Sequence, residues 1–93
     1  FASYAAKAAI IISERAQEIS RLIVEQMDRG TTLLKGKGGF TNEEKEVIYV
    51  VVSRPELNRL KGIVRQVDPH AFVVISDASN VLGEGFYREE QHQ

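Results

Sequence analysis

The hydrophobic positions of this chain alternate between short continuous runs and stripes with helical spacing. The first run, Ala8 to Ser13, contains three successive isoleucines. Apolar character on both faces of such a run predicts a buried strand. A stripe with steps of three and four residues follows and predicts an amphipathic helix. Its apolar members are Ala16, Ile19, Leu22, Ile23 and Met27.

The ends of this first helix carry recognisable signals. Ser13 is expected to cap its N-terminus, with Glu14 in the first turn, where the helix dipole favours an acid. Gly30 is expected to end the helix, because glycine readily takes the left-handed backbone found at helix C-termini. A second, more polar strand is then predicted from Thr31 to Lys35.

The second half of the chain repeats the alternation. Lys45 to Ser53 is β-branched and aromatic, which predicts a central strand. Ser53 to Glu56 has the spacing of a capping box with a proline in the first turn, and it predicts the start of a second helix. Asp68-Pro69 should end that helix. Ala71 to Ser76 is the fourth predicted strand, and the chain is expected to be loop-like after Asp77.

The order β-α-β-β-α-β predicts an α+β fold, a ferredoxin-like sandwich with two helices on one face of a four-stranded mixed or antiparallel sheet. In the usual strand order 4-1-3-2, the first and third strands are central, and they are the most apolar here. We expect one domain over residues 1–87 and a disordered polar tail over residues 88–93. The apolar fourth strand would be an exposed edge, so we expect the tail or another subunit to cover it.

Composition removes several classes of function. The net charge of −1 gives no general basic field for nucleic acid, and the aromatic pattern of an RNA-binding sheet of this topology is missing. With no cysteine and two histidines, the chain has no thiolate or His-based metal motif. We expect no enzymatic activity, cofactor or metal. The longest apolar run, Ala8 to Ile12, is too short to span a bilayer. Because the chain starts at Phe1, we expect it to be a piece of a longer protein.

One stretch invites a chemical interpretation. A glycine-rich stretch lies between the second and third predicted strands, and its candidate ligand residues are Gly36, Lys37, Gly38, Gly39 and Thr41. Glycines allow backbone N–H groups to approach an anion, and a lysine adds charge, so the stretch is a candidate phosphate-contacting loop. The alternative is a hairpin connection with glycines at positive φ. It is not a Walker motif.

Three other places have competing interpretations. Arg54 opens the second helix, where a cation is favourable only beside an anion; the alternative is a solvated side chain or an ion pair with Asp68 or Glu56. His70 could transfer protons beside Asp77, but a turn residue is the more common role. Asn42-Glu43-Glu44 could bind a divalent cation, yet such a site needs six or more converging oxygens.

Longer segments carry a family resemblance. "DRGTTLLKGKGGFT" (Asp28 to Thr41) and "VVVSRPELNRLKGIVRQVDPHAFVVISDASNVLGEGF" (Val50 to Phe86) resemble the C-terminal cytosolic domain of the YitT family of bacterial membrane proteins. The resemblance covers about Lys7 to Phe86. It implies a membrane-spanning part before Phe1 and a location at the cytoplasmic face of the bacterial membrane. It also implies a fold similar to the PII-like signalling proteins, which are commonly trimeric and use the connection between strands two and three for nucleotides and partners.

Together these observations give two functional hypotheses. The first is a regulatory ligand-sensing domain of a membrane protein that binds a nucleotide or another anionic metabolite and forms a homo-oligomer, with a trimer favoured. The second is a structural oligomerisation module without a ligand. In the first hypothesis, Gly83, Gly85 and Phe86 join the glycine stretch and Arg54 around one pocket. The alternative for this last segment is that Val81, Leu82 and Phe86 fold back over the edge strand or a neighbouring subunit.

Overall fold

The computed structural model describes residues 6–83 of the chain. Over these residues it has four strands and two α-helices, the second of them preceded by a 3₁₀ turn. The elements are β1 (Ala6–Ile12), α1 (Ala16–Met27), β2 (Thr32–Lys37), β3 (Glu44–Ser53), the 3₁₀ turn (Arg54–Glu56), α2 (Leu57–Val67) and β4 (Phe72–Ala78).

The sheet has the order β2-β3-β1-β4, and every neighbouring pair is antiparallel. This is the predicted order 4-1-3-2, with the two most apolar strands in the centre. The ferredoxin-like prediction is confirmed. The strands are central because they are apolar on both faces, whereas the polar side chains of β2 suit an edge that meets water.

The core lies between one face of the sheet and the two helices. Ile11 on β1 and Ile48 on β3 are directly paired and fully buried there. Ile19 and Ile23 from α1 and Leu60 from α2 cover them and are also fully buried. The helical stripes in the sequence therefore face the sheet as predicted.

The ends of α1 differ from the prediction. Ser13 does not cap the helix, whose N-cap residue is Arg15. The Ser13 hydroxyl instead accepts a hydrogen bond from the Arg15 backbone N–H at 2.9 Å and donates one to Asp68 at 2.6 Å. At the other end, Asp28 rather than Gly30 takes the left-handed conformation, with φ 55° and its N–H bonded to the Val24 carbonyl. A short polar side chain tolerates this backbone, so the helix ends at Met27, with Asp28 as its C-cap, before the chain reaches the glycine.

The start of the second helical segment matches its sequence signal. The Ser53 backbone N–H donates to Glu56 Oε1 at 2.8 Å, as a capping box requires. The Ser53 hydroxyl donates to the same oxygen at 2.9 Å. This turn holds the chain as it leaves β3 and enters α2.

The hairpin between β2 and β3 is shorter than the sequence indicated. Gly36 pairs with Lys45 and Lys37 with Glu44, so both residues belong to β2 rather than to a loop. Among residues 6–83, the only glycine with positive φ is Gly83, and the left-handed position of the hairpin is held by Asn42 at φ 63°. The expectation of positive-φ glycines in this connection was wrong. β4 also continues through Asp77 to Ala78, where a loop was expected.

Candidate functional site

The hairpin loop, residues 38–43, is closed by its own hydrogen bonds. The Gly38 N–H donates to the Glu43 carbonyl at 2.8 Å, and the Asn42 N–H donates to the Gly38 carbonyl at 2.9 Å. Thr41 Oγ1 accepts the Glu43 N–H at 3.2 Å. A Cβ at Gly38 would lie 2.6 Å from that same oxygen. Gly38 is therefore required by the packing of the turn, and its N–H is already used within the loop.

The loop presents an aromatic side chain to solvent. Phe40, at the tip, is 99% exposed. Gly39 beside it has open space where a Cβ would be. Phe40 therefore does not contribute to the core, and a single exposed apolar ring of this kind is common on protein surfaces.

A cleft of about 950 Å³ lies between the start of α1 and the strands that carry this hairpin. Its walls hold both signs of charge. The cations are Arg15, Lys35, Lys37 and Lys45, and the carboxylates are Glu14, Glu18, Glu43, Glu44 and Glu46. Three of these groups are engaged already, since Arg15 pairs with Glu18 and Glu46 accepts a hydrogen bond from the Gln17 amide at 2.9 Å. Lys35 and Lys37 extend from β2 as exposed charges.

Arg54 lies at the opposite end of the sheet. β3 runs from the hairpin to Ser53, and the strand from Lys45 to Ser53 spans ~27 Å at the rise of an antiparallel strand. Arg54 follows Ser53 directly, so its backbone is far from the glycine stretch. Gly83, with φ 128°, comes after β4, which also ends at the Arg54 end. Within one chain, the structure therefore does not bring the predicted loop and Arg54 around one pocket.

The remaining predicted ligand residues are Gly85 and Phe86, which lie outside the described residues. Of the set proposed from the sequence, the structure brings together Gly36, Lys37, Gly38, Gly39 and Thr41 at the hairpin end of the sheet.

Arg54 has an acidic neighbour that was not foreseen. Lys7 forms an ion pair with Asp77 across the β1–β4 pairing. The hydrogen bond from Lys7, its charge and, more weakly, the charge of Arg54 lower the pKa of Asp77 below its ordinary value. Glu56 is instead bound to Arg29, and Asp68 is at the far end of α2, so neither of the expected partners pairs with Arg54.

His70 is not beside Asp77. His70 is exposed just before β4 at the hairpin end, and its backbone N–H donates to Asp68 Oδ1 at 2.9 Å. Hydrogen bonds from the Ser13 hydroxyl and then from this N–H lower the pKa of Asp68. The Arg15 guanidinium lies close by and donates to the Val67 carbonyl at 2.6 Å. These contacts join the start of α1 to the end of α2 and have a structural role.

Residues 6–83 hold neither a metal-binding cluster nor a membrane-spanning helix. No three His, Cys, Asp or Glu side chains in this part of the chain are grouped as a metal site requires, the acids of the hairpin included. None of the helices described is long and apolar enough to cross a membrane.

The sheet face away from the helices, here the open face, is a second candidate surface. One row of paired residues across it is Leu34, Val47, Ile12 and Phe72, and the next is Thr32, Tyr49, Ile10 and Val74. Phe72 is 62% exposed, and Leu34, Val74, Tyr49 and Ile10 each expose about two fifths or more of their surface. The two rows cross all four strands without a charged residue. Sequence analysis identified the apolar fourth strand as an edge but missed this face, because only the sheet register aligns the rows.

Comparisons with known proteins agree with the fold. Residues 29–83 match a family described as an uncharacterized protein conserved in bacteria, DUF2179. The chain is 51% identical over 87 residues to the UPF0750 membrane protein YpjC of Bacillus subtilis, covering 94% of this chain and 30% of that protein. It is 42% identical over 82 residues to the UPF0750 membrane protein YitT of the same organism, covering 88% of this chain and 29% of that protein. The chain thus spans less than a third of the length of these relatives.

Solved structures show the same architecture. A DUF2179 protein from Eubacterium ventriosum superimposes with a TM-score of 0.68 at 30% identity, covering 76% of this chain and 97% of that one. CutA from Synechococcus elongatus, in a complex with Bis-Tris, gives a TM-score of 0.68 at 11% identity, covering 94% and 90% of the two chains. The second likeness concerns the fold alone. With a family match over more than half of its residues, the chain belongs to the DUF2179 family and corresponds to a domain of the YitT-type, UPF0750 membrane proteins.

Proposed function

We propose that this chain is the self-associating regulatory domain of a YitT-family membrane protein, and that copies of it pack through the open face. The observation that carries the proposal is the pair of apolar rows across that face. Five large apolar side chains of the open face are exposed there: Ile10, Leu34, Tyr49, Phe72 and Val74. Contiguous apolar surface of this kind on a small domain is typical of an association surface.

A second copy is the occupant that fits this face best. The two rows contain no charged residue that a partner would have to neutralise. Because the surface is apolar across all four strands, the same surface of a second copy can pack against it. β4 borders the same surface as an edge strand without proline. Among closed assemblies, the PII-like resemblance favours a trimer over a dimer.

Light scattering during gel filtration tests this proposal. Tyr49 and Val74 flank Ile10 on neighbouring strands, and Tyr49→Lys/Val74→Lys should convert the oligomer to a monomer because two charges would be buried. Val24→Lys is the matched control, since Val24 is 46% exposed on α1 on the other side of the molecule. A wild-type monomer at micromolar concentration, or an equal loss in the control, would refute the proposal.

A second candidate function is ligand sensing, and the cleft at the hairpin end favours it. In this proposal a nucleotide or another anionic metabolite binds beside Lys35 and Lys37, near the exposed ring of Phe40. The five carboxylates of the same cleft oppose a bare anion. A ligand that also offers donor groups, as a nucleotide base does, therefore suits it better than inorganic phosphate.

A thermal-shift screen against nucleotides tests the second candidate. A ligand at 100 times its dissociation constant should stabilise the domain by about 2.7 kcal/mol. Lys37→Ala should weaken binding by about 1.5–3 kcal/mol if the ammonium meets a phosphate. Arg54→Ala is the control because it removes an exposed cation at the other end of the sheet. A screen without any shift, or an equal effect of both substitutions, would leave self-association as the function.

The proposal also specifies on which side of the membrane the domain lies. The domain is expected at the cytoplasmic face and to act without catalysis. Proteolysis of the full-length protein in inverted and right-side-out vesicles checks the first point, since cleavage of the domain only in right-side-out vesicles would contradict it.

A further inference from the structure

The outer surface of α2 is basic, and the two acids that flank the helix, Glu56 and Asp68, are engaged by Arg29 and Ser13. Arg59, Lys61 and Arg65 are exposed on the side of the helix away from its buried stripe. The helix Leu57–Val67 contains no acidic residue. Within residues 6–83, none of these three side chains forms an ion pair. The chain as a whole has a net charge of −1, so the cations are a local excess.

The other helix shows the contrast. α1 also has arginines at its surface, but Arg15 pairs with Glu18, and Arg21 pairs with Glu25 at 3.2 Å. Both pairs have the i, i+3 or i, i+4 spacing that neutralises charge on an exposed helix. The same spacing on α2 places Lys61 and Arg65 together, where two cations repel each other. A repulsive arrangement on one helix and compensated charges on the other indicate an external anionic partner for α2.

We propose that the basic face of α2 (Arg59, Lys61 and Arg65) lies against the anionic headgroups of the membrane in which the rest of the protein resides. This inference rests on the proposed function, in which the domain belongs to a membrane protein. Each lysine or arginine near an anionic bilayer raises the partition coefficient of the domain roughly fivefold. This modest attraction is enough to keep the domain at the surface, because its link to the membrane-spanning part already holds it nearby. Lys61 and Arg65 are one turn apart and would meet the surface together, whereas Arg59 lies on the other flank of the exposed side of the helix.

The geometry leaves this face available in the oligomer. The helices cover one side of the sheet, and the open face is the other. Copies that pack through their open faces would keep α2 outward, so the basic face of each copy stays accessible. Nucleic acid is the weaker candidate, because the exposed residues around these cations, Asn58, Gly62 and Gln66, provide no aromatic side chain for base stacking.

The test is binding of the domain to lipid vesicles at low ionic strength. Vesicles with equal parts of phosphatidylglycerol and phosphatidylcholine should bind it, pure phosphatidylcholine should not, and added salt should release it. Lys61→Gln/Arg65→Gln should lower the partition coefficient about 25-fold, at fivefold for each cation removed. Arg21→Gln/Lys35→Gln is the control, since it removes two exposed cations elsewhere and should retain most of the binding.

Location can be read directly because the chain has no cysteine. A fluorophore on Asn58→Cys should be quenched by headgroup-labelled anionic vesicles, whereas one on Gly39→Cys, at the hairpin tip beyond the helix layer, should be quenched far less. The proposal is overturned by equal binding to neutral vesicles, by an equal loss in the control, or by DNA binding as tight as that to anionic vesicles. Light scattering on the same samples separates the two proposals. An intact oligomer that does not bind anionic vesicles refutes membrane contact by α2 but not self-association.

Discussion

Arg29 and Glu56 form an ion pair that joins the end of α1 to the start of α2, with Arg29 Nη2 2.9 Å from Glu56 Oε1. The Arg29 side chain is 3% exposed and that of Glu56 is 23% exposed. The same carboxylate accepts the Ser53 N–H. One carboxylate thus completes the capping box before α2 and also binds Arg29 at the end of α1. The local motif that starts the helix therefore also holds the two helices together.

This arrangement predicts a large effect of a small change. Glu56→Gln should lower the free energy of unfolding by about 3 kcal/mol, because the buried Arg29 guanidinium loses the negative charge of the acceptor at Glu56. Denaturation in urea measures it. The control is Glu25→Gln, which breaks the exposed pair with Arg21 and should cost less than about 0.5 kcal/mol. Equal effects of the two substitutions would show that burial of Arg29 is unimportant.

Acid should weaken the fold through the same residue. Burial raises the pKa of Glu56, but the hydrogen bonds from Ser53 and Arg29 and the charge of Arg29 together lower it below the ordinary 4.5. A carboxyl with a lowered pKa in the folded state stabilises above its unfolded pKa, and this stability is lost as the pH falls through the folded value. The difference between wild type and Glu56→Gln should therefore shrink as the pH drops below about 4.5. A constant difference in urea titrations from neutral to acid pH would contradict this.

Two neighbouring glycines of the hairpin loop should differ in their tolerance of a side chain. Gly38→Ala should destabilise the domain by about 1–3 kcal/mol, because the new Cβ would meet Thr41 Oγ1 at 2.6 Å. Gly39→Ala should be far milder, since nothing lies within 4 Å of its Cβ position. Thermal unfolding of both variants measures the difference. If Gly38→Ala/Thr41→Ala is as unstable as Gly38→Ala alone, the clash is not the cause.

Gly62 should respond in the opposite direction. It lies in the middle of α2, and a Cβ there would have no neighbour within 4 Å. Gly62→Ala should raise the free energy of unfolding by about 0.5–1 kcal/mol, because alanine is the better helix former and restricts the unfolded chain. Urea denaturation checks the sign. A loss of stability would mean that the backbone of α2 is strained at this residue.

The sequence by itself determined the order of the elements, the two central strands and the start of the second helical segment. Each of these depends on residues close together in the chain. Three isoleucines in a row make a strand apolar on both faces, and Ser53 and Glu56 are close enough to form their capping box without help from the rest of the fold.

Only the tertiary structure decided the features that depend on the sheet register. The pairing of Gly36 with Lys45 converts part of a glycine-rich stretch into strand. The length of β3 separates Arg54 from the hairpin by ~27 Å, although the sequence grouped them in one site. Alignment of four strands creates the apolar open face, and Arg29 meets a carboxylate 27 positions away. Local patterns cannot supply such information, because contacts between distant segments are fixed by the packing of the whole sheet against its helices.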